Sequence, residues 1–237
     1  MKKDFIVRVT EPTPENLLAP ILPGTTRTEA LNRSKFDQVA ANAVISTFFP
    51  KEDLKALLAQ PESGGLRIYP AFADEAAQTF TMLAVATTDA ATRGDIVSDE
   101  ESNLCLLANG TEPAIRVKRL DAFNMMTRLN THLRANGDNE DLPFSLGAVV
   151  SPFQKSYSKV FFSEAKITEL LEDENTIGIR FYSVRVAFAG STRAFPTLMA
   201  VAQKDTGEDA STATVSLLPC PPDCGGGSYT DSVAEIK

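Results

Sequence analysis

Two arginine–tyrosine pairs are the residues of this chain best suited to recognising an anion. Arg67 and Tyr69 stand two apart, as do Arg180 and Tyr182. In a β-strand that spacing puts both side chains of a pair on one face. A guanidinium there can stack on an aromatic ring and also form a two-pronged pair with a carboxylate. Asp89 and Asp205, at the far ends of the expected neighbouring strands, are the candidate acidic partners. These residues make either an anion- or carboxylate-binding face or a stabilising ladder on a half-buried sheet. The ladder is the simpler expectation.

The remaining chemistry-bearing residues are few. His132 is the only histidine, so any histidine-based triad has one centre, and no nucleophile elbow accompanies it. Its place beside Leu129 and Leu133 reads as a helix surface or boundary position. Cys220 and Cys224 are spaced for one side of a zinc site, which needs two further ligands; Cys105 and His132 are the sole remaining Cys or His and lie far away in sequence. Cys-Pro-Pro-Asp-Cys is also not the two-residue spacing of thiol oxidoreductases. Its two prolines describe a stiff turn, which leaves a structural turn, a local disulfide and a one-sided metal clip all open. No cofactor is expected, with zinc at Cys220 and Cys224 the one candidate. Gly225-Gly226-Gly227 has no strand before it and no helix after it, so it is not a phosphate loop. The acidic run Asp99-Glu100-Glu101 lacks calcium-loop spacing.

The elements that must position these residues are written twice. FFPKEDLKALLAQPESGGLRIY runs from Phe48 to Tyr69, and FFSEAKITELLEDENTIGIRFY from Phe161 to Tyr182. Without a gap they match at Phe48/Phe161, Phe49/Phe162, Leu57/Leu170, Leu58/Leu171, Gly65/Gly178, Arg67/Arg180 and Tyr69/Tyr182. Leu54, Leu57 and Leu58, like Ile167, Leu170 and Leu171, form the i, i+3, i+4 stripe of a helix burying one face. The paired phenylalanines read as the helix start, with Pro50 in the first turn and Ser163 as an N-cap. From Gly65 and Gly178 the period changes to two. Leu66 and Ile68 then face away from Arg67 and Tyr69. A second strand follows in each case, Thr79 to Thr88 and Thr197 to Lys204, with Thr81-Met82-Leu83-Ala84-Val85-Ala86 matching Thr197-Leu198-Met199-Ala200-Val201-Ala202. The fold class expected is therefore α+β: two tandem divergent copies of a helix–strand–turn–strand unit, helices packed on small antiparallel sheets.

Around this unit, Asp4 to Thr10 reads as a short strand, and four prolines between Pro12 and Pro23 describe an arm packing along the body. Helices are expected over Thr28 to Ser46 and, with Asp121 as cap, through Ala135 on a stripe of Leu120, Phe123, Met126, Leu129 and Leu133. A third short strand is expected at Leu104 to Leu107, with Leu217–Leu218 as its counterpart. The organisation expected is an arm over 1–27, a first repeat over 28–115, a second over 116–225 and a tail over 226–237.

The second half resembles a group of short uncharacterised bacterial proteins of Bacteroidetes-type genomes. The resemblance rests on Phe161–Phe162, Leu170–Leu171, Gly178-Ile179-Arg180-Phe181-Tyr182, the strand Thr197 to Asp205 and Cys220-Pro221-Pro222-Asp223-Cys224. The first half resembles another copy without the cysteine ending. This likeness implies no activity.

At 237 residues, a hydrophobic fraction of 43% and a charged fraction of 23% are those of an ordinary globular chain. The formal charge of −8 argues against a nucleic-acid surface, Arg116, Lys118 and Arg119 notwithstanding. No apolar run approaches the roughly 18 residues of a membrane span, and no secretory h-region opens the chain. Three cysteines suggest a reducing, cytoplasmic setting, with signal-less export leaving no trace in sequence. The function expected is a non-enzymatic protein-interaction or assembly protein, with a protein partner or self-assembly. The rivals are a small-ligand binder or enzyme with a site between the repeats, lined by Arg67, Arg180, Asp89 and Asp205, and metal binding through the tail.

Overall fold

The structure is a computed structural model that describes residues 6–9, 21–22, 46–74, 80–88, 105–108, 115–136, 159–188, 195–216 and 219–220. Residues 28–45 of the expected helix over Thr28 to Ser46, the arm between its two short strands, Asp89, Leu217–Leu218 and Cys224 lie outside the described residues. Ser46 itself opens a strand rather than closing that helix.

Strands β1 (Ile6–Val9), β2 (Ile21–Leu22), β3 (Ser46–Pro50), β9 (Thr176–Phe188), β10 (Phe195–Lys204) and β11 (Asp209–Val215) form one sheet. Its order is β1-β9-β10-β11-β2, with β3 also pairing β9. β1 joins parallel, and the other pairings are antiparallel. The second sheet is built from β4 (Gly65–Phe72), β5 (Phe80–Thr87), β6 (Cys105–Ala108), β7 (Ile115–Val117), β8 (Lys159–Ser163) and β12 (Pro219–Cys220). It is antiparallel, in the order β12-β8-β4-β5-β6-β7. Among the described residues three helices accompany them: α1 (Lys51–Leu58), α2 (Arg119–Asn136) and α3 (Glu164–Leu171). Small, mainly antiparallel sheets with helices make this an α+β fold. No described helix is long and apolar enough to cross a membrane.

The two sequence-similar stretches exchange strands. Phe48 and Phe49 lie in β3 and pair with Arg180 and Ile179 of β9, while Phe161 and Phe162 lie in β8 and pair with Arg67 and Leu66 of β4. Gly178 faces Pro50 in the first ladder as Gly65 faces Ser163 in the second. The next strands keep the correspondence, with Arg67 opposite Val85 and Arg180 opposite Val201. Each sheet thus draws a strand from both stretches. The aromatic pairs are strand residues, where the sequence pattern suggested a helix start. Pro50 and Ser163 then occupy the N-cap positions of α1 and α3, and neither makes a side-chain capping bond.

Period-two alternation sends one face of each sheet into a shared core. Leu66, Ile68, Met82, Ala84, Val160 and Phe162 of one sheet meet Phe49, Ile179, Phe181, Leu198 and Ala200 of the other. Phe181 is central, with edge-on contacts to Phe49 and Phe162 at ring-centroid distances of 5.7 and 5.2 Å. Such pairs contribute about 0.5–1.5 kcal/mol each beyond their burial. The apolar stripes of α1 (Leu54, Leu57) and α3 (Ile167, Leu170, Leu171) close the same core. Helix α2 covers the opposite face of β4 and β5, packing Ala122 and Met126 on Tyr69, Ala71, Leu83 and Val85. It starts before Asp121, and Leu120 stands 62% exposed, off the expected stripe.

Candidate functional site

Because Leu66, Ile68, Ile179 and Phe181 share the inner core, the arginines and tyrosines between them point to the outer face of each sheet. Arg67 is only 3% exposed, and Tyr69 is fully buried under α2. Arg180 is half-buried on the outer face of the other sheet. The structure therefore does not bring Arg67 and Arg180 into one cleft.

Each pair has its own setting. The Arg180 guanidinium lies 5.6 Å from the ring centroid of Phe48, donates from Nη1 to Ser46 Oγ (3.4 Å) and donates from Nη2 to Gln203 Oε1 (3.2 Å). Gln203 in turn donates from Nε2 to the carbonyl of Gly207 at 3.0 Å, tying the strand to the β10–β11 turn. Gly207 has φ +80°, the left-handed region glycine favours, and a Cβ there would meet open space. Tyr182 donates from its hydroxyl to Asp209 Oδ2 at 2.7 Å, and both residues are buried. Asp205 is exposed in the β10–β11 turn, and its backbone N–H donates to Asn175 O at 3.1 Å. The carboxylate beside Tyr182 is thus Asp209, which no sequence pattern singles out. It opens a strand, DASTATV, whose Ala, Ser and Thr residues carry no apolar alternation.

A second arrangement has no signature in the sequence. Helices α1 and α3 lie side by side, running in opposite directions, as two end contacts show. Lys51 Nζ, at the start of α1, donates to Asp173 O just beyond α3 at 3.0 Å. The Glu164 N–H, at the start of α3, donates to Gly64 O beyond α1 at 2.9 Å. Between them runs an open groove of about 580 Å³. Leu58 and Leu171 give it an apolar floor, Lys51 and Lys55 one wall, and Glu164, Glu172 and Glu174 the other. The apolar stripe that made these helices legible marks their buried face. The charge split on their exposed face emerges only when the helices are set beside each other.

Other candidates are placed as follows. Cys220 belongs to β12, whose pairing sets it opposite Lys159, and Cys105 belongs to β6. Among the described residues, no group of three or more His, Cys, Asp or Glu could hold a metal ion. His132 falls on α2. Arg116, on the edge strand β7, pairs with Asp53 of α1 at 3.3 Å. Beside it Ile115 is 49% exposed.

Comparison with protein-family models, with curated proteins and with solved structures finds no match to this chain.

Proposed function

We propose that this chain is a non-enzymatic protein-interaction or assembly protein, built from two tandem divergent copies of one helix–strand–turn–strand unit. The matching ladder registers of the two similar stretches support the duplication. The observation that carries the functional reading is the groove between α1 and α3, where the two repeated stretches meet at the surface. Its walls carry opposite charge over an apolar floor. Such a surface steers and orients a partner by electrostatic complementarity while apolar contact supplies affinity. The surroundings of the two arginines support a packing role better than anion recognition. Arg67 is buried, and the Arg180 guanidinium is occupied by Phe48, Ser46 and Gln203.

The test pairs native mass in solution with capture from native lysate, comparing wild type with Lys51→Ala/Lys55→Ala and Glu172→Ala/Glu174→Ala. The expected result is a species heavier than one chain, or a captured protein, that both variants lose. A clean monomer that captures nothing, or an association both variants retain, overturns the reading.

A second reading, small-ligand binding between the repeats, is favoured by the groove volume. At about 580 Å³ it falls within the roughly 300–1,000 Å³ of small-molecule sites. Its lining would then be the groove residues, with Arg67 and Arg180 playing no part.

A further inference from the structure

Setting the two stretches in register gives the groove an unusual property. The inward positions of α1 and α3 keep their character, with Leu54 matching Ile167, Leu57 matching Leu170 and Leu58 matching Leu171. The outward positions do not. Lys51 matches Glu164, Lys55 matches Thr168, and Ala59 matches Glu172. Both sides of the groove keep the same apolar positions, while the outward charge is basic on α1 (Lys51, Lys55) and acidic on α3 (Glu164, Glu172).

A surface of that kind fits a second copy of itself. We infer that the α1–α3 face binds the same face of another copy of this chain, as a two-fold dimer whose axis runs along the groove. That rotation lays α1 of each copy on α3 of the other. Lys51 and Lys55 then meet the partner's acidic wall twice over, as a self-complementary interface requires. Rotation about an axis across the groove would set lysines on lysines and glutamates on glutamates, so charge selects one arrangement. The neighbouring charges leave the lysines available. Glu52 lies 3.7 Å from Lys55 in a pair open to solvent, Lys55 being 53% exposed. Asp53 is engaged by Arg116 on the side of β7. Lys51 uses one of its three donors on Asp173 O. Leu58, half-buried in the free chain, is covered in the dimer.

Each helix has eight residues and is about 12 Å long. The contact is therefore smaller than a standard interface and the dimer is weak and salt-sensitive.

This inference rests on the interaction reading above, and its test separates the two. Sedimentation equilibrium of the full chain, at about 1 mM and low salt, should give a mass approaching two chains, falling towards one chain as salt rises to about 1 M. Lys51→Glu/Lys55→Glu should be monomeric, because both contacts become acid on acid. Glu164→Lys/Glu172→Lys/Glu174→Lys should be monomeric, because both become base on base. An equimolar mixture of the two variants should recover the dimer, since each contact is then a base on an acid. Wild type that stays monomeric at about 1 mM, a variant that still dimerises, or a mixture that stays monomeric overturns the inference. Circular dichroism checks the fold of each variant. Should one unfold, the exposed single changes Lys55→Glu and Glu172→Lys replace them, with the same mixing outcome required. If purified wild type is monomeric while lysate capture still depends on the groove charges, the self-pairing fails and the interaction reading stands.

Discussion

The phenyl ring of Phe48 lies across Gly178, so that a Cβ on this glycine would come within 2.6 Å of the ring atom Cε2 and collide with the carbonyl oxygen of Phe49. Phe161 covers Gly65 in the same way, at 2.7 Å to Cζ, with the carbonyl of Phe162 behind it. Both glycines are therefore required by close approach of an exchanged strand: β3 onto β9 and β8 onto β4. An aromatic ring laid over a strand glycine replaces the side-chain contacts that glycine lacks.

Alanine at either glycine is expected to cost about 1–3 kcal/mol, the usual range for overpacking a tight site. Urea denaturation of Gly65→Ala and Gly178→Ala measures this as a lower midpoint. Adding Phe48→Ala to Gly178→Ala should not restore wild-type stability, because the Phe49 carbonyl still blocks the methyl group. Unchanged midpoints in both single variants would contradict the exchanged-strand packing.

Tyr182→Phe removes the hydroxyl that donates to buried Asp209 at 2.7 Å. Losing one partner of a buried hydrogen bond costs about 1–3 kcal/mol. Asp209→Asn keeps an acceptor oxygen for the tyrosine and should cost less. Thermal melts of the two variants should rank in that order, and equal stability of Tyr182→Phe and wild type would remove the pair from the account of this face.

Truncating Arg67 should harm the fold more than truncating Arg180, since Arg67 is 3% exposed and Arg180 is half-buried. Loss of packing along the aliphatic stem contributes as well as loss of charge. Arg67→Ala is expected to cost about 2 kcal/mol or more. Arg180→Lys, which loses the planar fork over Phe48, should cost about 1 kcal/mol. Neither change should alter association through the α1–α3 groove once folded protein is compared with folded protein. A binding loss without a stability loss would return these arginines to recognition.

Local periodicity was readable from the chain alone. The Leu54, Leu57, Leu58 stripe and its counterpart at Ile167, Leu170 and Leu171 implied helices with one buried face, and α1 and α3 are those helices. The change to period two after each glycine implied strands with Leu66 and Ile68 on one side and Arg67 and Tyr69 on the other. The core divides them that way. These features depend only on neighbours a few residues away. Which strand pairs with which depends on contacts between residues far apart in the chain, such as Phe48 with Arg180 and Phe161 with Arg67, and there the tertiary structure decided. Phe48 and Phe49, immediately before a proline and a helix, resemble a helix start until β9 supplies their ladder partners. Asp209 has nothing in its local sequence to mark it as the partner of Tyr182, and Ile115–Val117 is too short to announce itself as β7. The groove's opposed charges are likewise a property of two helices brought together, since each helix alone carries only an ordinary solvated face.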